Sequence, residues 1–200
     1  MPPLATILLA AGASSRMGRP KLLLPWHDTT VIGRLISLWQ TVGASQIAVV
    51  HRPDDRPLLA ELDRLGFPPH DRIVNPRPED GTFSSIQCAA RWNGWRPAIS
   101  HWVIALGDQP QLEVATLRAL LDGAAQYPSN LCQPTSGGKN GHPVILPRDV
   151  FGDLKQTGAA TLKDFLKPFS GRTVYCPVTD PGLLLDMDTP EDYKRIHSRK

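Results

Sequence analysis

Apolar positions in this chain come in short continuous runs that alternate with stretches of helical period. Residues 4–11 are apolar at nearly every position, which predicts a strand buried on both faces. Small and cationic residues follow. Thr30 then stands as a predicted N-cap before Val31, Leu35, Leu38 or Trp39, and Val42, with Gly43 closing that helix. Residues 46–51 predict a second buried strand, 57–65 a helix ended by Gly66, and Ile73-Val74 a third strand. A helix over 82–92, a buried strand over 102–106 and a helix over 112–125 come next. Strand, helix, strand at this rhythm predicts an α/β fold with a mainly parallel central sheet flanked by helices. After Tyr127-Pro-Ser129 the rhythm changes. A strand over 130–135, a Gly-rich turn over 136–141 and an apolar run over 142–146 predict a small antiparallel excursion. Short helices over 149–154 and 161–166 and a strand over 173–176 complete the pattern. Thr189, Pro190 and two acidic residues specify the start of a last helix.

Composition narrows the setting. A chain of 200 residues can bury a full core without disulfides, and no repeat or charge block divides it, so one domain over 1–200 is expected. The 20 prolines fall largely between elements and read as loop punctuation. The net charge of +3 is scattered rather than striped, which suits anionic small molecules and argues against nucleic acid. Cys88, Cys132 and Cys176 are odd in number and far apart, fitting neither a disulfide framework nor a zinc site. A reducing, cytoplasmic setting is expected. No apolar run approaches membrane-spanning length, and the first cations, Arg16 and Lys21, follow the first apolar run instead of preceding it as a signal would require. The tail Ser198-Arg199-Lys200 reads as solvated.

The chemistry concentrates at predicted strand ends. Gly12, Ala13, Ser14 and Ser15 make a turn of small residues with Arg16, Arg19 and Lys21 close behind, a cradle in which backbone N–H groups approach an anion and cations neutralise it. It is neither a Walker A loop, since Lys21 is not followed by Ser or Thr, nor a G-x-G-x-x-G dinucleotide loop. Asp108 lies just past the strand over 102–106, where open parallel sheets bind ligands, and is placed to hold Mg²⁺ against phosphate oxygens. The competing reading, a cap for the next helix, is disfavoured by the intervening Gln109-Pro110. Asp186 and Asp188 add carboxylates before the last helix. Thr82, Ser84 and Ser85 read most simply as a capped helix start, with Ser84 the candidate if they form a second wall of the ligand site. Lys139, Asn140 and His142 sit on a Gly-rich turn that by default only turns, or else meets a second substrate; His142 has no partner at zinc-ligand spacing. A cationic cradle with two carboxylate loops fits phosphoryl-type chemistry.

The stretch Leu9-Ala-Ala-Gly-Ala-Ser-Ser-Arg-Met-Gly-Arg-Pro-Lys-Leu-Leu-Leu-Pro25 resembles the signature loop of the MobA-like nucleoside-triphosphate transferases, and within them most resembles the molybdenum-cofactor cytidylyltransferases. Gly107-Asp-Gln-Pro110, Gly141-His-Pro-Val and Asp186-Met-Asp-Thr-Pro-Glu-Asp192 follow in that family's order. The resemblance implies a Rossmann-like nucleotidyltransferase fold, with nucleotide over the N-terminal half and acceptor over the C-terminal half. It implies that the Gly12 loop cradles an NTP with Ala10 and Ala11 near the base, and Ala11, where guanylyl-transferring members tend to carry Gly, leans to CTP. It implies that Arg16 meets the β- and γ-phosphates and Lys21 the α-phosphate. Asp108 and Asp188, with Asp186 beside them, would hold Mg²⁺, and Asn140 and His142 the acceptor side. The implied reaction moves CMP onto molybdopterin or its molybdenum-loaded form, releases pyrophosphate and passes the product towards a molybdoenzyme. A sugar- or polyol-phosphate acceptor, and a non-catalytic cofactor-binding chaperone, are the alternatives. Two stretches depart from the family pattern: Asp80-Gly-Thr-Phe-Ser-Ser-Ile replaces a more usual Gly-Met-Ser-Ser-Ser-Leu, and Gln156-Thr-Gly-Ala-Ala-Thr161 lacks a charged Gly-Asp-Arg-Gly-like segment. Both bear on the acceptor more than on the chemistry.

Overall fold

The computed structural model describes residues 2–198; Arg199 and Lys200 of the tail lie outside that range. The chain opens with β1 (Leu4–Leu9), a two-residue hairpin of β2 (Pro25–Trp26) and β3 (Thr29–Thr30), and α1 (Val31–Thr41). Next come β4 (Gln46–His51), α2 (Arg56–Arg64), β5 (Arg72–Val74), α3 (Thr82–Arg91), β6 (His101–Leu106) and α4 (Val114–Gln126). The remainder supplies β7 (Leu131–Ser136), β8 (Lys139–Asn140), β9 (Val144–Pro147), α5 (Arg148–Asp153), α6 (Leu162–Leu166), β10 (Thr173–Pro177) and α7 (Pro190–His197).

Seven strands lie in the order β10-β7-β9-β6-β1-β4-β5, with β8 paired to β7. β6, β1, β4 and β5 are parallel, as are β10 and β7, and β9 runs antiparallel to both β6 and β7. The expected antiparallel excursion is therefore two features: a tight β7–β8 hairpin, and β9 inserted beside β6. The continuous apolar runs follow from burial on both faces. Leu4 and Leu8 of β1, Val49 of β4 and Val103 of β6 face one core with α1, α2 and α4, while Ala5, Ile7, Val50 and Ile104 face the other with α3 and α5.

The local start and stop signals are realised. Thr30 Oγ1 accepts from Gly33 N at 3.2 Å, and Gly43 and Gly66 take positive φ after α1 and α2. Thr189 and Asp192 form the reciprocal capping box of α7, with Pro190 in its first turn. By contrast, α4 starts at Val114 rather than 112, because Glu113 N donates to the remote Asp180 Oδ2 at 3.0 Å. The β2–β3 hairpin, turning through His27 at φ 53°, has no periodic signal that could have announced it. Cys132 and Cys176, distant in sequence, are buried neighbours on β7 and β10, where the Cys176 hydrogen bond and then burial push the Cys132 thiol up.

Leu9 pairs with Leu106 in the β1–β6 register, so the loops after the two strands leave the sheet at the same edge. Gly107 permits this, since a Cβ there would stand 2.5 Å from the Leu9 carbonyl oxygen.

Candidate functional site

A cavity of about 380 Å³ opens at that edge. One wall is the loop after β1: Ala10, Ala11, Gly12, Ala13, Ser14, Ser15 and Arg16, with Lys21 behind. A Cβ added at Gly12 would meet nothing within 4 Å, so no packing demands the small residue, which faces the open cavity. The loop is pinned by its own atoms. Ser14 adopts a left-handed φ of 51°, its carbonyl accepts from Met17 N at 3.0 Å, and its Oγ accepts from Lys21 N at 3.2 Å.

Asp108 and Asp188 form the opposite wall. Lys21 Nζ lies between them, 2.8 Å from Asp108 Oδ2 and 3.3 Å from Asp188 Oδ1, and Arg16 Nη2 reaches Asp188 Oδ2 at 2.8 Å. The Lys21 and Asp108 side chains are 15% and 19% exposed, whereas Arg16 is 70% exposed, so the Lys21 pair is the better shielded from screening. Asp186 stands apart from this knot. Its Oδ1 accepts from Gln109 Nε2 at 3.3 Å, and burial, then the Asp108 charge, push its carboxyl above the usual range.

A third wall comes from Pro78, Gly81, Thr82 and Ser85 at the start of α3. Ser84, the hydroxyl favoured from sequence, is turned elsewhere. Its Oγ donates to the Gly81 carbonyl at 2.7 Å and accepts from Asn75 Nδ2 at 2.8 Å, and it is absent from the cavity lining. Thr82 and Ser85, three apart on one helical face, line the cavity instead; that spacing was the available signal. None of these hydroxyls caps α3, whose N-cap is Gly81 without a side-chain bond. Leu9, Leu22 and Leu106, which sequence reasoning did not mark as lining, form the apolar floor.

Asn140 and His142 lie together on a second cavity of about 730 Å³, separate from the Lys21 knot. His142 also borders a space of about 520 Å³ that shares Leu9, Gly81, Thr82 and Leu106 with the first cavity, so this space adjoins both. Burial holds His142 below the usual imidazole range, against the opposing pull of the Ile104 carbonyl and Asp108, and its Nδ1 is buried without a partner.

Among the described residues, no three His, Cys, Asp or Glu side chains form a ready-made metal cage. The donor set nonetheless fits a hard divalent ion, which is commonly held by one or two carboxylates together with substrate phosphates and water. Asp108 Oδ1 is buried with no hydrogen-bond partner, and Asp108 and Asp188 already converge on one cation, the Lys21 ammonium. No helix among these residues is long and apolar enough to cross a membrane.

Comparison with known proteins adds the following. The MobA-like NTP transferase domain matches residues 6–174. The chain is 31% identical over 200 residues to the molybdenum cofactor guanylyltransferase of Pseudomonas syringae, covering 95% of this chain and 91% of that protein. It is 24% identical to the molybdenum cofactor cytidylyltransferase of Escherichia coli, covering 94% and 92%. It is 28% identical to the nicotine blue oxidoreductase of Paenarthrobacter nicotinovorans, covering 98% and 97%. Among solved structures, the Mycobacterium tuberculosis protein Rv0371c in complex with manganese superposes with a TM-score of 0.73 at 29% identity, covering 99% of this chain and all of that one.

Proposed function

The chain belongs to the MobA-like NTP transferase family, and on that premise we propose that it moves CMP from CTP onto the phosphate of molybdopterin or its molybdenum-loaded form, releasing pyrophosphate. The observation that carries this reading is the ammonium of Lys21 held between Asp108 and Asp188, beside Arg16, at the mouth of a cavity walled by a small-residue loop. The site without substrate neutralises itself. A triphosphate competes with the two carboxylates for Lys21 and Arg16, and once these turn to phosphate, Asp108 and Asp188 are left facing each other uncompensated. That arrangement favours a divalent cation, Mg²⁺ in this reading, with Asp186 nearby. Bound there, the ion supplies charge neutralisation on the phosphate oxygens.

The chain's own work is positioning. Backbone N–H groups from Ala10 to Ser15 hold phosphate oxygens, Arg16 takes the β- and γ-phosphates, and Lys21 takes the charge that grows on the α-phosphate. The acceptor needs no general base, because a phosphate monoester is largely a dianion at neutral pH (second pKa about 6). Its oxygen forms a bond to the α-phosphorus as the bond to the bridging oxygen breaks, and pyrophosphate leaves with that electron pair. The N-terminal half of this one domain serves the nucleotide, with Ala10 and Ala11 against a cytosine. The C-terminal half, through Asn140 and His142, serves the acceptor. Ser84 contributes through the Asn75 contact that fixes the α3 wall. Under this reading the protein works in the cytoplasm and hands its product to a molybdoenzyme.

The test is pyrophosphate release with Mg²⁺ and molybdopterin, comparing CTP, GTP, ATP and UTP. Release with CTP alone supports the whole reading, and release with GTP alone reassigns the base. Lys21→Ala and Asp108→Ala are each expected to lower kcat at least about 100-fold; turnover within a few-fold of wild type would refute their roles. A second reading, an oxidoreductase, is favoured by the near full-length similarity to the nicotine blue enzyme. Silence with every nucleotide, in a protein that shows oxidoreductase activity on nicotine blue, would select it.

A further inference from the structure

Asp186 and Asp188 lie on residues 178–188, a connection without helix or strand between β10 and α7. Such a stretch has no ladder to fix its course, so something else must hold Asp188 opposite Asp108. Two backbone turns, Leu183 N to the Asp180 carbonyl at 3.3 Å and Leu185 N to the Gly182 carbonyl at 3.1 Å, shape it locally, and it is seated through Asp180 of its own and through residues 109–116. Asp180, 3% exposed, accepts from Gly182 N at 2.7 Å, from Glu113 N at 3.0 Å and from Thr116 Oγ1 at 2.8 Å. Gln111 Nε2 donates to the Gly182 carbonyl at 3.0 Å and the Leu185 carbonyl at 2.7 Å. Gln109 Nε2 reaches the Leu183 carbonyl and Asp186 Oδ1, both at 3.3 Å. Met187, which stands between Asp186 and Asp188, closes the seam by donating its N–H to the Asp108 carbonyl at 3.3 Å.

Neither Gln111 nor Asp180 lines the nucleotide cavity. We propose that Gln111 and Asp180 are positioning residues that set the separation of Asp108 and Asp188, and through it the affinity of the site for a divalent cation. This rests on the reading of those two carboxylates as metal ligands. The device resembles an outer coordination shell, in which groups that never touch the ion fix the groups that do. Gln111 is the sharper probe. It donates both N–H groups to backbone carbonyls of the connection, so a side chain of similar length without donors releases the segment while leaving space filled.

The measurement is Mn²⁺ binding by electron paramagnetic resonance in the presence of CTP, for wild type and Gln111→Met, with kcat and KM followed against metal concentration. The expected result is a Kd for Mn²⁺ raised about 10-fold or more, a fall in kcat that excess metal restores, and a KM for CTP changed much less. Asp180→Asn is expected to show the same signature more strongly. Unchanged Mn²⁺ affinity in a folded Gln111→Met protein would overturn the proposal, and so would a loss of kcat that metal does not restore. Wild type that binds CTP but no Mn²⁺ would overturn both this proposal and the metal reading beneath it. Wild type that binds Mn²⁺ beside a variant that binds it equally well would overturn this proposal alone.

Discussion

On one side of the cavity, residues 10–24 hold their own shape: Met17 N bonds the Ser14 carbonyl, Lys21 N the Ser14 hydroxyl, and Leu23 N the Pro20 carbonyl. On the other side, residues 178–188 make short turns of their own, Leu183 N to the Asp180 carbonyl and Leu185 N to the Gly182 carbonyl, but they are seated on the rest of the protein by Gln109, Gln111, Glu113 and Thr116, which precede them by more than sixty positions. The loop that carries the cations is thus shaped by short-range contacts and the connection that carries Asp188 is seated by long-range ones, with the Lys21 ammonium itself joining the two sides. Short-range geometry survives small movements of the rest of the molecule, whereas the distance between Asp108 and Asp188 is a property of the whole α4 end of the sheet.

The contrast is broken most severely at the residue that joins the two sides. Lys21→Met removes the ammonium from between Asp108 and Asp188 while keeping a chain of similar reach. The expected loss in kcat is about 1,000-fold, in the range found when a charge-stabilising donor is removed. Mn²⁺ binding without nucleotide is expected to tighten in the same variant, because the ion no longer competes with a resident cation. A variant that loses activity yet binds Mn²⁺ alone no better than wild type would show that Lys21 does not occupy the metal's place.

Stability sharpens the same contrast at intermediate scale. In Asp180→Asn, an amide nitrogen replaces an oxygen that accepts from backbone or hydroxyl donors, so donor faces donor in a buried place. A cost of about 3 kcal/mol in denaturant unfolding is expected. Ser14→Ala, on the local side, removes one half-buried acceptor from the Lys21 amide and should cost about 1 kcal/mol. Equal costs would mean that the carboxylate segment is held by its buried Leu183 and Met187 rather than by its polar seam.

This division also decides what the amino-acid sequence could disclose. Thr30, Gly43, Gly66 and Thr189 carried their elements because each acts on backbone within a few residues. The Gly12 loop was legible for the same reason, and so was Asp108, which extends a strand whose burial shows in its composition. Asp180 and Gln111 were not. No local period distinguishes them from the polar residues of a surface loop, and their partners are far along the chain. Ser84 shows the limit within one helix turn: composition gave three hydroxyls, and although Asn75 Nδ2 donates to both Ser84 and Ser85, only the helical phase puts Thr82 and Ser85 on the cavity and leaves Ser84 off it.

The smallest effect belongs to a locally written piece of the carboxylate side, the capping box directly after Asp188. Asp192 Oδ2 accepts from the Thr189 hydroxyl at 2.8 Å and from Thr189 N at 3.1 Å, and Arg195 Nη2 reaches its Oδ1 at 2.6 Å. The Thr189 hydroxyl first, with the Thr189 amide and the Arg195 charge, holds the Asp192 carboxyl below its ordinary 3.8. Because the folded-state value is the lower one, the unfolded chain takes up the proton first as pH falls. The contribution of Asp192 is therefore complete above pH 3.8 and disappears as pH drops through the lower folded-state value. Between pH 5 and 3, wild-type Tm should fall slightly more than that of Asp192→Asn, in which this group no longer titrates. An identical pH slope in the two proteins would mean that α7 is seated by Ile196, fully buried in the core, and that its cap adds nothing measurable.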